Sequence, residues 1–254
     1  MERILQQSLF PLEVKPGNQR GTSLSKGTDT IPVDNFEEYL KTNDAALVPH
    51  ELMEKLVNGY SKEFPQVFYK GNISLLSRPA VSVVGTRNPT ALGKSRTAKI
   101  AALLVDLEYV ITSGLAKGVD AVAHKTTLEK NGNTIAVLGT PIHRIYPAEN
   151  KGLAQEIASR GLILSPSLPT EEKGKYLFPR RNRLMALLSV ATIITEAGPT
   201  SGVVHQAAEC LRQKRKLIFL KSLAENKNLP WVAGFLKSGA KVLERPEQLQ
   251  ELLA

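Results

Sequence analysis

The chain has 254 residues, 42% of them hydrophobic and 22% charged, a balance that suits a globular protein and excludes a collagen-like, mucin-like or wholly disordered one. Its one cysteine, Cys210, excludes an intramolecular disulfide and argues against a cysteine-built zinc site. No apolar run reaches the roughly 18 residues of a membrane span, and Met1–Phe10 has too little apolar length for a signal peptide, so a cytoplasmic protein is expected. The net charge of +9 suggests a polyanionic partner, and it is unevenly spread: residues 1–60 hold 6 basic and 9 acidic side chains, residues 61–254 hold 27 and 15.

Residues 1–35 read as an extended arm, because Pro11, Pro16, Gly17, Gly21, Gly27 and Pro32 stand among polar residues and leave little apolar surface to offset ordering entropy. Residues 36–63 read as a short helical segment, with Asp34 as the N-cap of Phe36–Leu40 and a second helix around Pro49–Tyr60. From residue 64 to 254 the pattern is regular. Short β-branched runs at Ala80–Val84, Tyr109–Ser113, Thr134–Leu138, Leu162–Leu164, Ala191–Thr195, Leu217–Leu220 and Lys241–Leu243 have the continuous apolarity of strands covered on both faces. Between them lie amphipathic segments at Gly93–Leu107, Gly118–Lys130, Asn150–Ser159, Arg183–Ser189, Gly202–Arg212 and Pro230–Ser238, and Pro246–Leu253 closes the chain as a docking helix. This alternation predicts an α/β fold with a doubly wound, mostly parallel sheet and a short irregular or helical N-terminal extension. Ligands of such sheets bind at the carboxyl ends of the strands, so the loops that follow the strands hold the candidate site.

The first such loop is Gly85-Thr86-Arg87-Asn88-Pro89-Thr90. Gly85 permits a sharp turn, Thr90 suits an N-cap, and Arg87 offers forked donors to a phosphate near a helix N-terminus; an ordinary βα turn with a solvated arginine fits equally well. The second loop, Ser113-Gly114-Leu115-Ala116-Lys117-Gly118-Val119-Asp120, has two glycines that allow close backbone approach and Lys117 to meet a phosphate. Asp120 and His124 share a helical face, which suits proton chemistry or, more simply, structural hydrogen bonds. In the third loop Tyr146 suits stacking on a base or, more simply, packing, and Glu149 and Asn150 read as capping residues that begin the next helix. The stretch Lys173–Arg183 carries five basic residues and no acidic one. Tyr176 and Phe178 interleave with Lys175, Arg180, Arg181 and Arg183, the pattern in which charges follow a strand's phosphates and rings stack on its bases; one of the arginines also suits structural contacts to carbonyls. After the fifth of these strands, Thr200, Ser201 and Gly202 precede a helix and form another anion site, with Glu196 beside them to hold a sugar hydroxyl or the arginines.

Taken in order, these residues resemble the DNA-processing protein A family (DprA, also called Smf). The resemblance rests on Phe68-Tyr69-Lys70-Gly71-Asn72, Gly85-Thr86-Arg87, Ser113–Asp120 with Ala123-His124, Ala136-Val137-Leu138-Gly139, Tyr146–Asn150, Phe178–Arg183 and Thr200-Ser201-Gly202, over about residues 64–254. It implies an extended Rossmann-like domain that binds single-stranded DNA without catalysis, cofactor or metal, that loads a RecA-type recombinase in recombination or natural transformation, and that forms a homodimer. It also implies a basic DNA pocket, onto which Arg87, Lys175, Phe178, Arg180, Arg181 and Arg183 carry over. The N-terminal 60 residues do not resemble the helical domain that often precedes this fold, no winged-helix domain follows Ala254, and the family's Ser-Gly-Ser reads Ser201-Gly202-Val203.

Two other functions compete. A nucleotide-cleaving enzyme related to the phosphoribohydrolases needs a carboxylate in its Pro-Gly-Gly-x-Gly-Thr-x-x-Glu loop, where this chain has Gln206; the missing negative charge argues against stabilising an oxocarbenium-like state. A nucleotide-sensing module remains compatible with the same loops. The four histidines, His50, His124, His143 and His205, show no metal-ligand spacing, and no Walker A sequence is present.

Overall fold

The computed structural model describes residues 33–57, 59–60, 63–171, 176–199 and 201–254. The arm predicted for residues 1–35 lies almost wholly outside them. The first helix, α1 (Val33–Thr42), begins ahead of Asp34, so that residue is inside the helix rather than its cap. It is followed by β1 (Ala46–Leu47), α2 (His50–Val57) and β2 (Phe68–Gly71). The regular part of the chain then runs β3 (Ala80–Val84), α3 (Ala91–Asp106), β4 (Val110–Ser113), α4 (Val119–Glu129), β5 (Thr134–Val137), α5 (Lys151–Arg160), β6 (Leu162–Ser165), α6 (Leu177–Leu188), β7 (Ala191–Ile194), α7 (Val203–Arg212), β8 (Lys216–Leu220), α8 (Lys221–Ala224), α9 (Pro230–Lys237), β9 (Lys241–Leu243) and α10 (Leu249–Leu253).

One sheet contains all nine of these strands, in the order β1-β2-β6-β5-β4-β3-β7-β8-β9. The seven from β6 to β9 are parallel, as the alternating pattern predicts. β2 runs antiparallel to β6, and β1 antiparallel to β2. The sequence reading lacks these two strands: β1 is two residues long, and Phe-Tyr-Lys-Gly in β2 shows neither a continuous apolar run nor strict alternation. Through β1 the N-terminal segment joins the sheet, and Phe36 and Tyr39 of α1 pack edge-on against the fully buried Phe68. The Tyr39 hydroxyl also lies 2.8 Å from Nδ1 of His143.

The parallel strands alternate between two cores. In β3, Ala80 and Val84 face the layer made by α2, α6, α7 and α9, whereas Val81 and Val83 face α3, α4 and α10. In β5, Ile135 and Val137 face the first layer and Ala136 faces α4 and α5. Every residue of β3, β4, β5, β6 and β7 is buried, which is why these segments read as unbroken apolar runs. The chain winds outward from β3 through β4, β5 and β6, then returns through α6 to place β7 on the other side of β3. The β3–β7 neighbours are therefore a topological switch point, where helices leave toward opposite faces and a crevice opens at the strand ends.

The antiparallel edge depends on Gly71. Its φ is +95°, and a Cβ there would collide with the carbonyl oxygens of Gly161 and Ala158, just ahead of β6. Gly239 has a similar φ of +101° but open space around it. Left-handed strain costs on the order of 1–3 kcal/mol. Thermal unfolding is therefore expected to show a smaller loss for Gly239→Ala than for Gly71→Ala, which adds collision to strain and should lower Tm by about 2–12 °C.

Candidate functional site

The turn after β3 and the turn after β7 are tied together. The Thr86 amide donates to the Glu196 carbonyl at 2.8 Å, and the Val119 amide at the start of α4 donates to the Thr86 carbonyl at 3.1 Å. A Cβ on Gly85 would lie 2.7 Å from the Glu196 carbonyl oxygen and 2.5 Å from Val119 Cγ2, so only glycine fits there. Gly118 has φ +78°, and a Cβ on it would lie 2.5 Å from the carbonyl oxygens of Thr86 and Arg87. It acts behind the site, holding two loops close.

The α3 N-terminus is already occupied. Thr90 caps it through Oγ1, which accepts from the Gly93 amide at 2.9 Å. Glu196 then reaches across, accepting from the Thr90 amide at 3.1 Å and from its hydroxyl at 3.2 Å. A carboxylate at a helix N-terminus fills the place a phosphate would take, so the reading of this terminus as a phosphate site gives way to an internal cap. That is also the role of Glu196, in place of a sugar or arginine contact.

The crevice itself is a cavity of about 500 Å³ at the β3–β7 switch, within the size range of small-ligand sites. Gly85, Thr86 and Arg87 form one wall, Ser201 and Gly202 before α7 another, and α6 a third. A side hollow of about 40 Å³ continues between Gly114, Lys117, Gly139 and Tyr146. Tyr146 is 53% exposed at this rim, which disfavours the packing alternative of its two readings. Glu149 pairs with Lys117, and Asn150 Nδ2 donates to the Leu115 carbonyl at 2.9 Å.

Helical phase sorts the basic stretch. The sequence places the start of this helix at Arg183, with the residues before it as a loop; α6 in fact begins at Leu177, and Pro179 sits in its first turn, where a missing N–H is tolerated. Residues at i, i+3 and i+4 share a face, so Phe178, Arg181, Asn182 and Met185 line the cavity together. Phe178 packs over Gly139, where a Cβ would be 2.7 Å from its ring. The other arginines turn away. Arg180 pairs with Glu171 and lies over the Tyr176 ring at 5.9 Å. Arg183 pairs with Glu63 and Glu209. Lys175 and Thr200, also candidates, lie outside the described residues.

Arg181 is the arginine that makes a structural carbonyl contact: its Nη1 donates to the Val137 carbonyl at 3.2 Å and its Nε to Asn182 Oδ1 at 2.9 Å. A Cβ on Gly114 would occupy the same space as this guanidinium. Burial pushes the Arg181 pKa down; the charge of Asp120 opposes that, and the charge of Arg87 adds to it. Two guanidiniums thus act on each other across one cavity. Arg87 is exposed and has no ion-pair partner among the described residues. Asp120 Oδ2 accepts from the amides of Gly114 at 3.1 Å and Ala116 at 3.3 Å. Burial raises its pKa, while Arg181 and these amides oppose the rise.

Sequence reasoning also left Gln206 out of the site. Gln206 is 3% exposed and lines the cavity floor, yet neither Nε2 nor Oε1 has a hydrogen-bond partner among the described residues. Such an orphaned pair typically costs about 1–3 kcal/mol. The signal was present: Val203, Ala207 and Cys210 form the buried stripe of α7, and Gln206 is the polar interruption in it.

Residues 47–254 match the family model described as DNA recombination-mediator protein A. This chain belongs to that family. Among curated relatives, protein Smf of Synechocystis is 36% identical over 86% of this chain and 56% of its own length, and DprA of Bacillus subtilis is 34% identical over 74% and 63%. The chain spans about half to two-thirds of the length of such relatives. The crystallographic DprA of Streptococcus pneumoniae superposes with a TM-score of 0.65 at 34% identity, over 73% of this chain and 65% of that one. DprA of Helicobacter pylori, whose structure was described for its single-stranded DNA binding mode, superposes with a TM-score of 0.69 at 28% identity, over 82% and 95%. The fold is thus the Rossmann-like one of the family. Among the described residues no helix is long and apolar enough to cross a membrane, and no cluster of three or more His, Cys, Asp or Glu could hold a metal.

Asp120 and His124 do not form the proton-transfer pair their spacing allows. His124 points to β5, with Nδ1 2.7 Å from Thr134 Oγ1, and burial pushes its pKa down to about 3. A histidine held neutral in the fold but titrating near 6.5 when unfolded loses stability as pH falls below 6.5, because the unfolded chain then binds more protons. Between pH 6.5 and 4 this residue is expected to contribute a loss approaching about 1.4 kcal/mol per pH unit. Denaturant titrations of wild type and His124→Gln across that range should show the shallower pH dependence in the variant.

Proposed function

We propose that this chain binds single-stranded DNA at the β3–β7 cavity without catalysis and acts as a recombination mediator. The observation that carries the reading is electrostatic. Arg87 and Arg181 face one cavity, where the charge of Arg87 disfavours that of the buried Arg181, beside the Ser201–Gly202 turn. A strand phosphate between them offsets both charges and meets donors suited to it. Lys117 is the next contact: its pair with Glu149 is about half exposed, and such pairs are weak enough to exchange for a phosphate. Phe178 and Tyr146 supply ring faces at the rim, as strand binders require. Family membership and the single-stranded DNA mode described for the Helicobacter pylori relative support the same assignment.

The non-catalytic part of the reading is supported by how the titratable groups are used. Asp120 holds a loop, Glu196 caps a helix, and Gln206 stands where a phosphoribohydrolase needs a carboxylate. In the same reading the strand is handed to a RecA-type recombinase in the cytoplasm by a homodimer, as the family resemblance implies. The phosphate subsites extend to Lys175 and Thr200, and Arg180 and Arg183 act indirectly, by fixing α6.

The test is fluorescence anisotropy of a labelled oligothymidylate at two salt concentrations. Wild-type affinity should fall with salt and increase with oligomer length beyond a few nucleotides. Arg87→Ala should weaken binding about tenfold or more and reduce the slope of log K against log salt by about 0.7. Lys221→Ala, at an exposed ion pair on α8, should change neither. Salt-independent binding unaffected by Arg87→Ala would overturn the reading, and affinity independent of length would instead favour a mononucleotide sensor.

A further inference from the structure

We propose that the chain has a second ligand site, a cleft at the carboxyl ends of β8 and β9 that takes a free nucleoside di- or triphosphate. It goes beyond the single-stranded DNA reading and lies on the opposite face of the sheet from the β3–β7 cavity. Topology opens it. The helices that follow β7 and β8, which are α7, α8 and α9, all pack into the first layer, whereas α3 packs into the second. On the α3 side, the ends of β8 and β9 are therefore left uncovered between α3 and the turn after β9. The hollow there measures about 370 Å³, within the size range of small-ligand sites. Its floor is apolar: Leu220 and Leu243 are the paired last residues of β8 and β9, and Ile100 of α3 meets them, all three buried.

The rim is cationic. Arg96 and Lys99 share one face of α3 with Ile100 through their i, i+3 and i+4 spacing, and Arg245 stands across from them in the turn after β9. None of these three cations has an ion-pair partner among the described residues. Lys221, also on the rim, pairs with Glu225 at 3.7 Å. Three cations directed at one hollow match a ligand with several negative charges close together, and guanidiniums suit phosphate oxygens. The exposed Glu244 beside them is an acceptor for hydroxyls, the part an acidic residue plays on the ribose in dinucleotide sites. An acidic peptide would bring its carboxylates against Glu244 and Glu225. A DNA strand spaces its phosphates one sugar apart and has no 2′ hydroxyl to give Glu244. An inorganic polyphosphate would leave the apolar floor unused. A ribonucleotide with two or three phosphates meets all three parts, with its base on the floor, its ribose at Glu244 and its phosphates on the arginines and Lys99.

The experiment is isothermal titration calorimetry of the full chain with ATP, adenosine and inorganic triphosphate, each with and without saturating dodecathymidylate. ATP is expected to bind at a single site, with adenosine and triphosphate each weaker by about tenfold or more. Arg96→Gln and Arg245→Gln should each weaken ATP about tenfold, with thermal unfolding unchanged. Lys99→Gln, at an exposed position of α3, repeats the comparison should Arg96→Gln lower Tm. Arg87→Ala and dodecathymidylate should leave ATP affinity as it is. No binding of ATP, adenosine or triphosphate binding as tightly as ATP, or full ATP affinity in the Arg96 and Arg245 variants would overturn the proposal. Displacement of ATP by dodecathymidylate, or its loss in Arg87→Ala, would also overturn it, by placing the nucleotide in the β3–β7 cavity or on the path of the strand. The single-stranded DNA reading stands or falls separately, on the salt and Arg87→Ala dependence of oligothymidylate binding.

Discussion

The structure depends on the adjacency of β3 and β7. The two strands pair in register, Val81 opposite Ala191 and Val83 opposite Ile193, although more than a hundred residues separate them in the chain. That pairing forces α3 and α7 to opposite faces and leaves the strand ends uncovered. The hydrogen bond from the Thr86 amide to the Glu196 carbonyl then fixes the two following turns to each other, and the Glu196 carboxylate caps α3 from the β7 side. The cavity is what remains once these connections are made. Gly85, Gly114 and Gly118 are required not because the loops must flex but because they must touch.

The same geometry sets the electrostatics. A guanidinium held in the interior is unfavourable unless its charge and its donors are met. Arg181 meets the first need through the nearby charge of Asp120 and the second through the Val137 carbonyl and Asn182. Because Asp120 is itself engaged by the amides of Gly114 and Ala116, the compensation is partial, and Arg87 adds a second positive charge at the mouth. One carboxylate, Asp120, thus faces two guanidiniums in the cavity lining. Elsewhere the opposite holds: Lys117, Arg180 and Arg183 each face a carboxylate. Among the site arginines and Lys117, the described cation without an ion-pair partner at the cavity mouth is Arg87.

Much of this was legible in the sequence, and the rest was hidden for identifiable reasons. Strands buried on both faces announce themselves as apolar runs, so β3 to β9 were found to within a residue or two. β1 and β2 were not, because β1 is two residues long and Phe-Tyr-Lys-Gly in β2 shows neither a continuous apolar run nor strict alternation. The loops that line the site were found because ligands of a doubly wound sheet bind at the carboxyl ends of its strands. Which arginines enter the cavity was not legible from the composition of Lys173–Arg183; it depends on helical phase. The phase follows only once α6 is started at Leu177, and Pro179 discourages that start. With the correct start, Phe178, Arg181, Asn182 and Met185 fall on one face, and Arg180 and Arg183 on others.

Gln206 shows a second kind of limit. In sequence it was weighed for what it lacks, the carboxylate of a cleaving enzyme. In the fold it matters for what it keeps, a donor and an acceptor in a place where Val203, Ala207 and Cys210 show that apolar side chains pack well. Burying an unpaired amide in such a stripe opposes folding, and leucine or methionine would fill the same space without that cost. Arg87 presents the complementary case at the mouth, a cation without a described partner beside a buried one. The two differ in cost: an exposed guanidinium is solvated, whereas an amide buried without a partner opposes folding.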